Sequence, residues 1–444
     1  MSLFGAQQLA NTFLQGRSEQ PAGKTTAAFE RITRATEGQF DDATKVAFRT
    51  GDQLQRVIVD FMYSLLTLEA VTPRGMMKTA FDMMQQSAEA VSRFAPGREN
   101  RLVWQEFKNK LQAFELFEHV DSVLQLPRQA EVRLPELVRM TEALGSYSSV
   151  WATEGLGHYF AETFLEQGAS GRNPLKSERA DERPARGLAA LHAGMGLAIA
   201  ERLMKSIEPR SSASEIRRVL KQFVALCQDN SREGYAGATC EALGLITRNL
   251  HPQMVPILDR QLPDVDEDLP GYFWHGVGRA IYFAPTNFLP DGHSLRRCLQ
   301  AAQQEPPHEL GRRNALAGLV WALTLVNIRQ PEILELFLKQ HGEQLSEPEA
   351  FVNGVSSAVM IWRDSVRVDP YLDALCRHRP DPSDAILAES WEQSVRRPAI
   401  EALQDIYPVV TAGRHLGEVF RYLDLHELAR QADREAQAGE SSYT

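Results

Sequence analysis

The chain has 444 residues and a net charge of −10, with 43% hydrophobic and 24% charged residues. These proportions are ordinary for a soluble globular protein. The acidic balance, and the lack of any arginine- or lysine-dense stripe interleaved with aromatic residues, argue against nucleic-acid binding.

No run of about 18 uncharged apolar residues exists, so the sequence predicts no transmembrane segment. The first residues lack the basic region and the long apolar core of a secretory signal. The four cysteines are scattered, without the spacing of a disulfide framework or of a metal site. We therefore expect a cytoplasmic protein with no metal and no cofactor. Strand-like alternation with hairpin turns is essentially absent, which predicts an all-α fold.

The N-terminal part of the chain is predicted to be a helical bundle. Residues 1–25 are small and polar and are expected to form a flexible start. Within residues 26–130, three stretches that begin at Leu54, Met77 and Val103 carry apolar residues at a mean spacing of about 3.5, which favours bundle packing. The methionines of this region either fill the bundle core or form an adaptable surface for lipid or for a partner.

A glycine recurs through residues 135–365 at intervals of 36 to 42 residues. The six positions are Gly155, Gly194, Gly234, Gly276, Gly318 and Gly354. Each lies in an apolar, helix-like stretch, and more polar amphipathic stretches lie between them. A period of about 40 residues is typical of two-helix repeats that bury their apolar faces only against neighbours.

The recurring glycines indicate close packing of helices. A glycine inside a helix costs about 1 kcal/mol relative to alanine, so its recurrence suggests a shared steric reason. Without a Cβ atom, one helix backbone can approach another closely. We expect about six two-helix units, arranged as an open α-solenoid or as a closed α/α toroid.

Two further segments are predicted around these repeats. A charged, proline-bearing stretch from Ser170 to Pro184 predicts a surface loop. Residues 366–433 have helical patterns without the glycine and are predicted to form a C-terminal helical cap. Residues 434–444 are predicted to be a frayed tail.

Standard catalytic and metal-binding motifs are missing, but one set of polar residues holds equivalent positions in the repeats. The residues directly before four of the glycines are Glu154, Glu233, His275 and Asn353. Equivalent positions predict one common surface near the ends of the glycine helices. His158 and Arg279 follow Glu154 and His275 by four residues, which places each pair on one helix face.

Three interpretations of these residues remain open at this point. They satisfy helix ends or each other, they line a ligand-binding surface, or Glu154, Glu233 and His275 act as general acid and base. Aromatic residues also cluster around the glycine stretches: Trp151, Tyr159, Tyr235, Tyr272, Phe273, Trp274, Tyr282, Phe283, Trp321 and Trp362. They predict an inter-helix core or an apolar groove for a hydrophobic ligand, with Trp274 included among the candidate ligand-binding residues.

Part of the chain resembles an uncharacterised bacterial family associated with enediyne polyketide biosynthesis genes. The likeness rests on Gly276-Val-Gly-Arg-Ala-Ile-Tyr-Phe283, on the stretch from Arg312 to Thr324, and on the Glu-Gly-Leu-Gly that begins at Glu154. It covers residues 135–365, and it departs from the family where Leu325, Val326 and Asn327 replace small residues. The resemblance implies a role in specialised metabolism and supplies no catalytic residues.

The leading hypothesis is a non-catalytic binding or scaffold protein that holds a hydrophobic intermediate or a biosynthetic partner enzyme. The first alternative is a cofactor-independent cyclase or isomerase that works in a central α/α cavity. The second is a protein that associates with lipid or polymer surfaces through residues 1–130. The sequence also leaves open whether the chain forms a homo-oligomer.

Overall fold

The structure is a computed structural model that describes residues 97–118, 120–124, 134–166, 187–288, 290, 292–366 and 370–441. These residues form helices joined by turns, with no β-strand among them, which confirms the all-α class. None of the described helices is both long and apolar enough to cross a lipid bilayer. The predicted helices that begin at Leu54 and Met77, the flexible start and the loop from Ser170 to Pro184 lie outside the described residues.

The α-helices, in chain order, are α1 (Arg98–Glu118), α2 (Val120–Val123), α3 (Leu134–Glu142), α4 (Ser146–Glu166), α5 (Leu188–Met204), α6 (Ala213–Asn230), α7 (Ala236–Cys240), α8 (Ala242–Leu250), α9 (Val255–Asp259), α10 (Leu269–Tyr282), α11 (Pro285–Phe288), α12 (Ser294–Gln304), α13 (Glu309–Val326), α14 (Pro331–His341), α15 (Pro348–Ser365), α16 (Pro370–Arg377), α17 (Ala385–Trp391), α18 (Arg397–Glu401), α19 (Tyr407–Ala412) and α20 (Leu425–Ser441). Short 3₁₀ segments lie at Pro252–Met254, Leu262–Asp264, Gly342–Gln344 and Leu416–Phe420.

The described residues divide into two compact units, of which the first comprises residues 97–115 and 285–294. Its core is aromatic: Phe107 and Phe114 of α1 each meet Phe288 of α11 edge to face, at ring-centroid distances of 6.0 and 6.4 Å. Lys110 Nζ donates a hydrogen bond of 2.9 Å to the carbonyl of Asn287. The apolar stripe predicted from Val103 therefore lies on a helix and packs as a core.

The second unit comprises residues 116–284 and 295–441, and it contains all the helices that carry the glycines. These helices pack in chain order: α4 on α5, α5 on α7 and α8, α8 on α10, α10 on α13, and α13 on α15. At these contacts, a Cβ added to a glycine would come closer than 3.0 Å to main-chain atoms of a neighbouring helix, except between α5 and α8, where Gly196 meets the Ala242 side chain at 2.9 Å. The glycines with this contact are Gly157, Gly194, Gly196, Gly244, Gly276, Gly278, Gly318 and Gly354.

The last glycine helix also returns to the second one. Asp364 near the end of α15 accepts a hydrogen bond of 3.1 Å from the amide of Ala189, in the first turn of α5. The carbonyl of Asp364 accepts a further bond of 3.3 Å from the amide of Gly187. Because the cap residue Gly187 has no side chain, Asp364 supplies the acceptor that the free amides of this helix end require.

Two of the six predicted glycines depart from this pattern: Gly155 of α4 lies against the main chain of Phe117 in α1, and Gly234 lies outside a helix. Gly234 lies in a turn before α7 with φ of 86°, a left-handed conformation that favours glycine. The prediction that Gly234 sits inside a packed helix is therefore wrong. The close-contact position of this unit belongs to Gly244, whose added Cβ would lie 2.7 Å from the carbonyl carbon of Phe273.

The amphipathic stretch between Ser214 and Cys227 forms α6, as its apolar spacing predicts. Its N-terminus is closed by a capping box, in which the Ser212 hydroxyl accepts from the amide of Glu215 and the Glu215 carboxylate accepts from the amide of Ser212. The buried side of the helix includes Ile216 and Phe223. Helices α12 and α14 also lie between glycine helices in the sequence, where more polar amphipathic stretches are predicted.

The C-terminal region is helical and carries two wide turns. π-Helical segments at Glu392–Arg396 and Ala402–Ile406 come just before Pro398 and Pro408. Proline lacks an amide hydrogen and clashes with the carbonyl four residues earlier, so a wider turn accommodates it. The region ends in α20, which continues to Ser441. Residues 434–441 of the predicted frayed tail are helical, as the last part of α20.

Between α19 and α20 the chain crosses the glycine helices as a segment of residues 414–423, called the crossing segment below. Its main chain forms hydrogen bonds with Gly234 before α7, with Asn314 of α13 and with Asn353 of α15. A Cβ added to Gly237 of α7 would lie 2.8 Å from the carbonyl carbon of Gly417. The crossing segment therefore lies directly on the N-terminal portions of several glycine helices.

Candidate functional site

Three of the predicted site residues meet in one buried cluster: Glu154 of α4, and His275 and Arg279 of α10. Arg279 donates hydrogen bonds from Nη2 to Glu154 Oε1 at 2.9 Å and from Nη1 to Glu241 Oε2 at 2.8 Å. The other oxygen of Glu241, Oε1, lies 3.0 Å from His275 Nδ1. Glu241 lies between α7 and α8, so the cluster links α4, the junction of α7 and α8, and α10.

The backbone geometry explains why these side chains can meet. His275 and Arg279 are four residues apart on α10 and therefore share one helix face, as predicted. The adjacent Gly276 brings α10 so close to the main chain at Glu241 that an added Cβ would lie 2.8 Å from the amide of Leu245. The close approach that the glycine allows is thus the condition for the Glu241–His275 hydrogen bond.

The charges of the cluster are not balanced. Burial alone would lower the pKa of Arg279, but the charges of Glu241 and then of Glu154 outweigh it, and the pKa is raised. One guanidinium therefore faces two carboxylates, and all three side chains are buried. The cluster carries an excess of negative charge if His275 is neutral.

Burial lowers the pKa of His275 further than the Glu241 carboxylate raises it, and the charge of Arg279 lowers it as well, which favours the neutral ring. A carboxylate only accepts hydrogen bonds, so the ring proton belongs on Nδ1, which donates to Glu241. That leaves Nε2 with a lone pair. Nε2 is buried and has no hydrogen-bond partner among the described residues.

Two further polar atoms beside His275 are buried and unpartnered within the described part of the chain. They are Nε of Arg279 and Nε1 of Trp321, both hydrogen-bond donors. The Arg279 guanidinium carbon lies 4.4 Å from the Trp321 ring centroid, and the Trp321 and His275 rings meet edge to face at 6.2 Å. Phe420 of the crossing segment contacts both rings, at 6.2 Å from His275 and 5.8 Å from Trp321.

His158 belongs to a second pair of buried groups. Its Nε2 lies 3.6 Å from Glu201 Oε1 of α5, which is too long for a hydrogen bond. Burial acts to raise the pKa of Glu201, but the interaction with His158 and nearby positive charge, including that of Lys205, together lower it. The His158 ring also contacts Phe117 edge to face, at 5.6 Å.

The remaining predicted site residues lie apart from the cluster, and their side chains are bonded to other groups. Trp274 Nε1 donates to Asp259 at 2.6 Å, and Asn353 Nδ2 donates to the carbonyl of Leu423 at 2.8 Å. Glu233 is exposed and its carboxylate pairs with Arg414. The structure therefore does not bring Glu233 to a common surface with Glu154 and His275, because its neighbour Gly234 lies in a turn and not in a glycine helix.

Two members of this arrangement were not predicted from the sequence. Glu241 escapes prediction because a repeat counted from Gly234 places Glu233 at the equivalent position. The better signal is Gly244, which follows Glu241 by three residues inside an apolar stretch. Phe420 was missed because a short 3₁₀ segment carries no periodic pattern. Trp321 belongs to the predicted aromatic set, but sequence alone did not distinguish it from the others.

Among the described residues, no group of three or more His, Cys, Asp and Glu side chains is arranged to hold a metal ion. Comparison of the chain with protein-family models, with curated proteins and with solved structures finds no match. The resemblance to the enediyne-associated family therefore stays a prediction.

Proposed function

We propose that the chain is a binding protein that holds a hydrophobic small molecule at His275, Arg279 and Trp321, beneath Phe420. The observation that carries this proposal is the set of three unpartnered, fully buried polar atoms on side chains that touch one another. Buried polar groups in proteins are nearly always hydrogen-bonded, because a missing partner costs about 1–3 kcal/mol. A bound molecule would supply the missing partners.

The surroundings of these atoms suit an apolar ligand with a few directed polar contacts, which is the usual composition of small-molecule sites. Trp321 and Phe420 contribute aromatic surface, and the three polar atoms fix orientation. We propose further that the glycine helices form a closed α/α arrangement of about six units, since α15 packs against α5. The cluster would then lie at the centre of that arrangement.

The cellular context of the proposal follows from the sequence resemblance. A protein of this kind would act in the cytoplasm, in specialised metabolism of the enediyne type, and hold an intermediate between biosynthetic steps. Binding of a partner enzyme and association between copies of the chain remain compatible with it. The alternative of lipid association concerns residues 1–130, most of which lie outside the described residues.

Native mass spectrometry of the full chain, purified from its natural producer without denaturant, tests the proposal. We expect a bound mass that organic solvent extracts, and we expect Trp321→Phe to reduce its occupancy. Trp391→Phe is the matched control, since Trp391 is equally buried and its indole donates to the carbonyl of His378. Absence of any bound mass, or equal occupancy in both variants, would contradict the proposal.

A second candidate function is supported by the Glu241–His275 pair. A carboxylate that holds the proton on Nδ1 and leaves Nε2 with a free lone pair is the arrangement of a general base. The chain would then be a cofactor-independent cyclase or isomerase. If so, the extracted molecule should take up deuterium when it is incubated with the protein in D₂O, and His275→Phe should abolish the uptake. Uptake that persists in this variant would argue against His275 as the base.

A further inference from the structure

We infer that the ligand of this site is a neutral molecule whose hydroxyl group bridges His275 and Trp321 and whose apolar part packs on Trp321 and Phe420. This inference rests on the proposed function and adds the chemical class of the ligand. It follows from three separate properties of the site: its charge, its hydrogen-bonding capacity and its aromatic surface.

Charge excludes an anionic ligand. Two carboxylates, Glu154 and Glu241, already surround the single guanidinium of Arg279 at hydrogen-bonding distance. A third negative charge would be buried beside two others, and like charges at close range in a poorly solvated site repel strongly. The arginine is therefore a structural link between two carboxylates and is not free to recognise an acid.

Hydrogen-bonding capacity selects a group that both donates and accepts. His275 Nε2 offers a lone pair and needs a donor, whereas the indole of Trp321 and Nε of Arg279 need an acceptor. A hydroxyl group satisfies both requirements, because it donates one hydrogen bond and accepts up to two. A carbonyl would leave His275 unpaired, and an ammonium would leave Trp321 unpaired.

The aromatic surface indicates that the hydroxyl group of the ligand is attached to an apolar ring or chain. Trp321 and Phe420 lie 5.8 Å apart between ring centroids, and both contact His275. The crossing segment that carries Phe420 is held by Arg421, which is bonded to Asp268 and to Glu418. Because the rings of Trp321 and Phe420 are in direct contact, an apolar ring or chain next to the hydroxyl would pack against the edge of the pair and not between the two rings.

Three probes that share one ring system separate these requirements: 2-naphthol, naphthalene and 2-naphthoate, each titrated into the full chain at neutral pH. The hydroxyl of 2-naphthol can make the bridge, naphthalene lacks it, and 2-naphthoate replaces it with a charge. We expect 2-naphthol to bind at least about tenfold more tightly than either of the others, because roughly one or two additional buried hydrogen bonds contribute that much to the binding free energy. His275→Phe and Trp321→Phe should each remove this preference, and Trp391→Phe should keep it.

Each other outcome counts against the inference. Equal or tighter binding of 2-naphthoate would overturn the charge argument, and equal binding of naphthalene would overturn the hydroxyl bridge, while either result leaves a binding function intact. A preference that survives both site variants would place binding elsewhere. If none of the three probes binds, the inferred ligand class is wrong, and the bound mass in native mass spectrometry decides separately whether the binding function stands. The probe comparison on the unaltered protein stands even if a site variant fails to fold.

Discussion

Replacing Gly318 with alanine tests the packing on which the buried cluster depends. An added Cβ at this position would lie 2.7 Å from the carbonyl carbon and 3.0 Å from the Cα of His275, and closer still to the carbonyl oxygen. These are main-chain atoms of a buried helix, so they cannot rotate away as a side chain would. Helices α10 and α13 would have to separate by about 1 Å, which would also move His275 and Trp321.

The expected effect is a balance of two terms. Alanine gains up to about 1 kcal/mol over glycine in a helix, whereas overpacking a rigid core costs about 1–3 kcal/mol and more when backbone must move. We expect Gly318→Ala to lower the free energy of unfolding by about 2 kcal/mol, measured from the midpoint of urea denaturation followed by circular dichroism.

Gly342→Ala is the matched control for this substitution. Gly342 has ordinary right-handed helical dihedral angles, φ of −56° and ψ of −41°, and an added Cβ would meet nothing within 4 Å. This variant should be neutral or stabilised by up to about 1 kcal/mol. Equal stability of the two alanine variants would refute the argument that backbone contact explains the recurring glycines.

Three further substitutions test other parts of the second unit. Arg279→Met should lower the free energy of unfolding by about 3–5 kcal/mol at neutral pH, because it leaves the buried carboxylates of Glu154 and Glu241 without a positive partner. The loss should be smaller in acid, where carboxylates take up protons. A constant loss across a pH series would contradict this explanation. Burial lowers the pKa of His192 to about 4 from 6.5, so this residue should contribute a loss of about 2 kcal/mol of stability between about pH 7 and about pH 5, as the unfolded chain takes up the proton first. The loss measured by denaturation of His192→Gln over this range should be smaller by that amount. Asp364→Ala should lower the free energy of unfolding by about 1–2 kcal/mol, because it removes the acceptor for the first turn of α5. Asp364→Asn should restore part of that loss. Unchanged stability of Asp364→Ala would contradict a contribution from this contact.

Much of the architecture could be predicted because it depends on local pattern. The apolar spacing from Ile216 to Leu226 determines the buried face of α6, and Gly276 and Gly318 recur in long apolar stretches that can only be buried helices. The pairing of His275 with Arg279 on one face follows from helical geometry alone. These features need no knowledge of the rest of the chain.

The contacts that complete the site could not be predicted because they are non-local. Glu241 reaches Arg279 across 38 positions of sequence, and Phe420 arrives from a 3₁₀ segment far beyond the repeats. Gly234 shows the opposite error, since a glycine that serves a left-handed turn looks the same in sequence as one that serves helix packing. Only the folded arrangement distinguishes the two uses.

Electron density at His275 and Trp321, in crystals of the full chain grown with 2-naphthol, tests the central claim most directly. We predict a ring packed on Trp321 and Phe420, with its hydroxyl oxygen at about 2.7–3.2 Å from His275 Nε2. Density for a single water molecule at Nε2, or a naphthol bound elsewhere on the chain, would contradict the assignment of this cluster as a binding site.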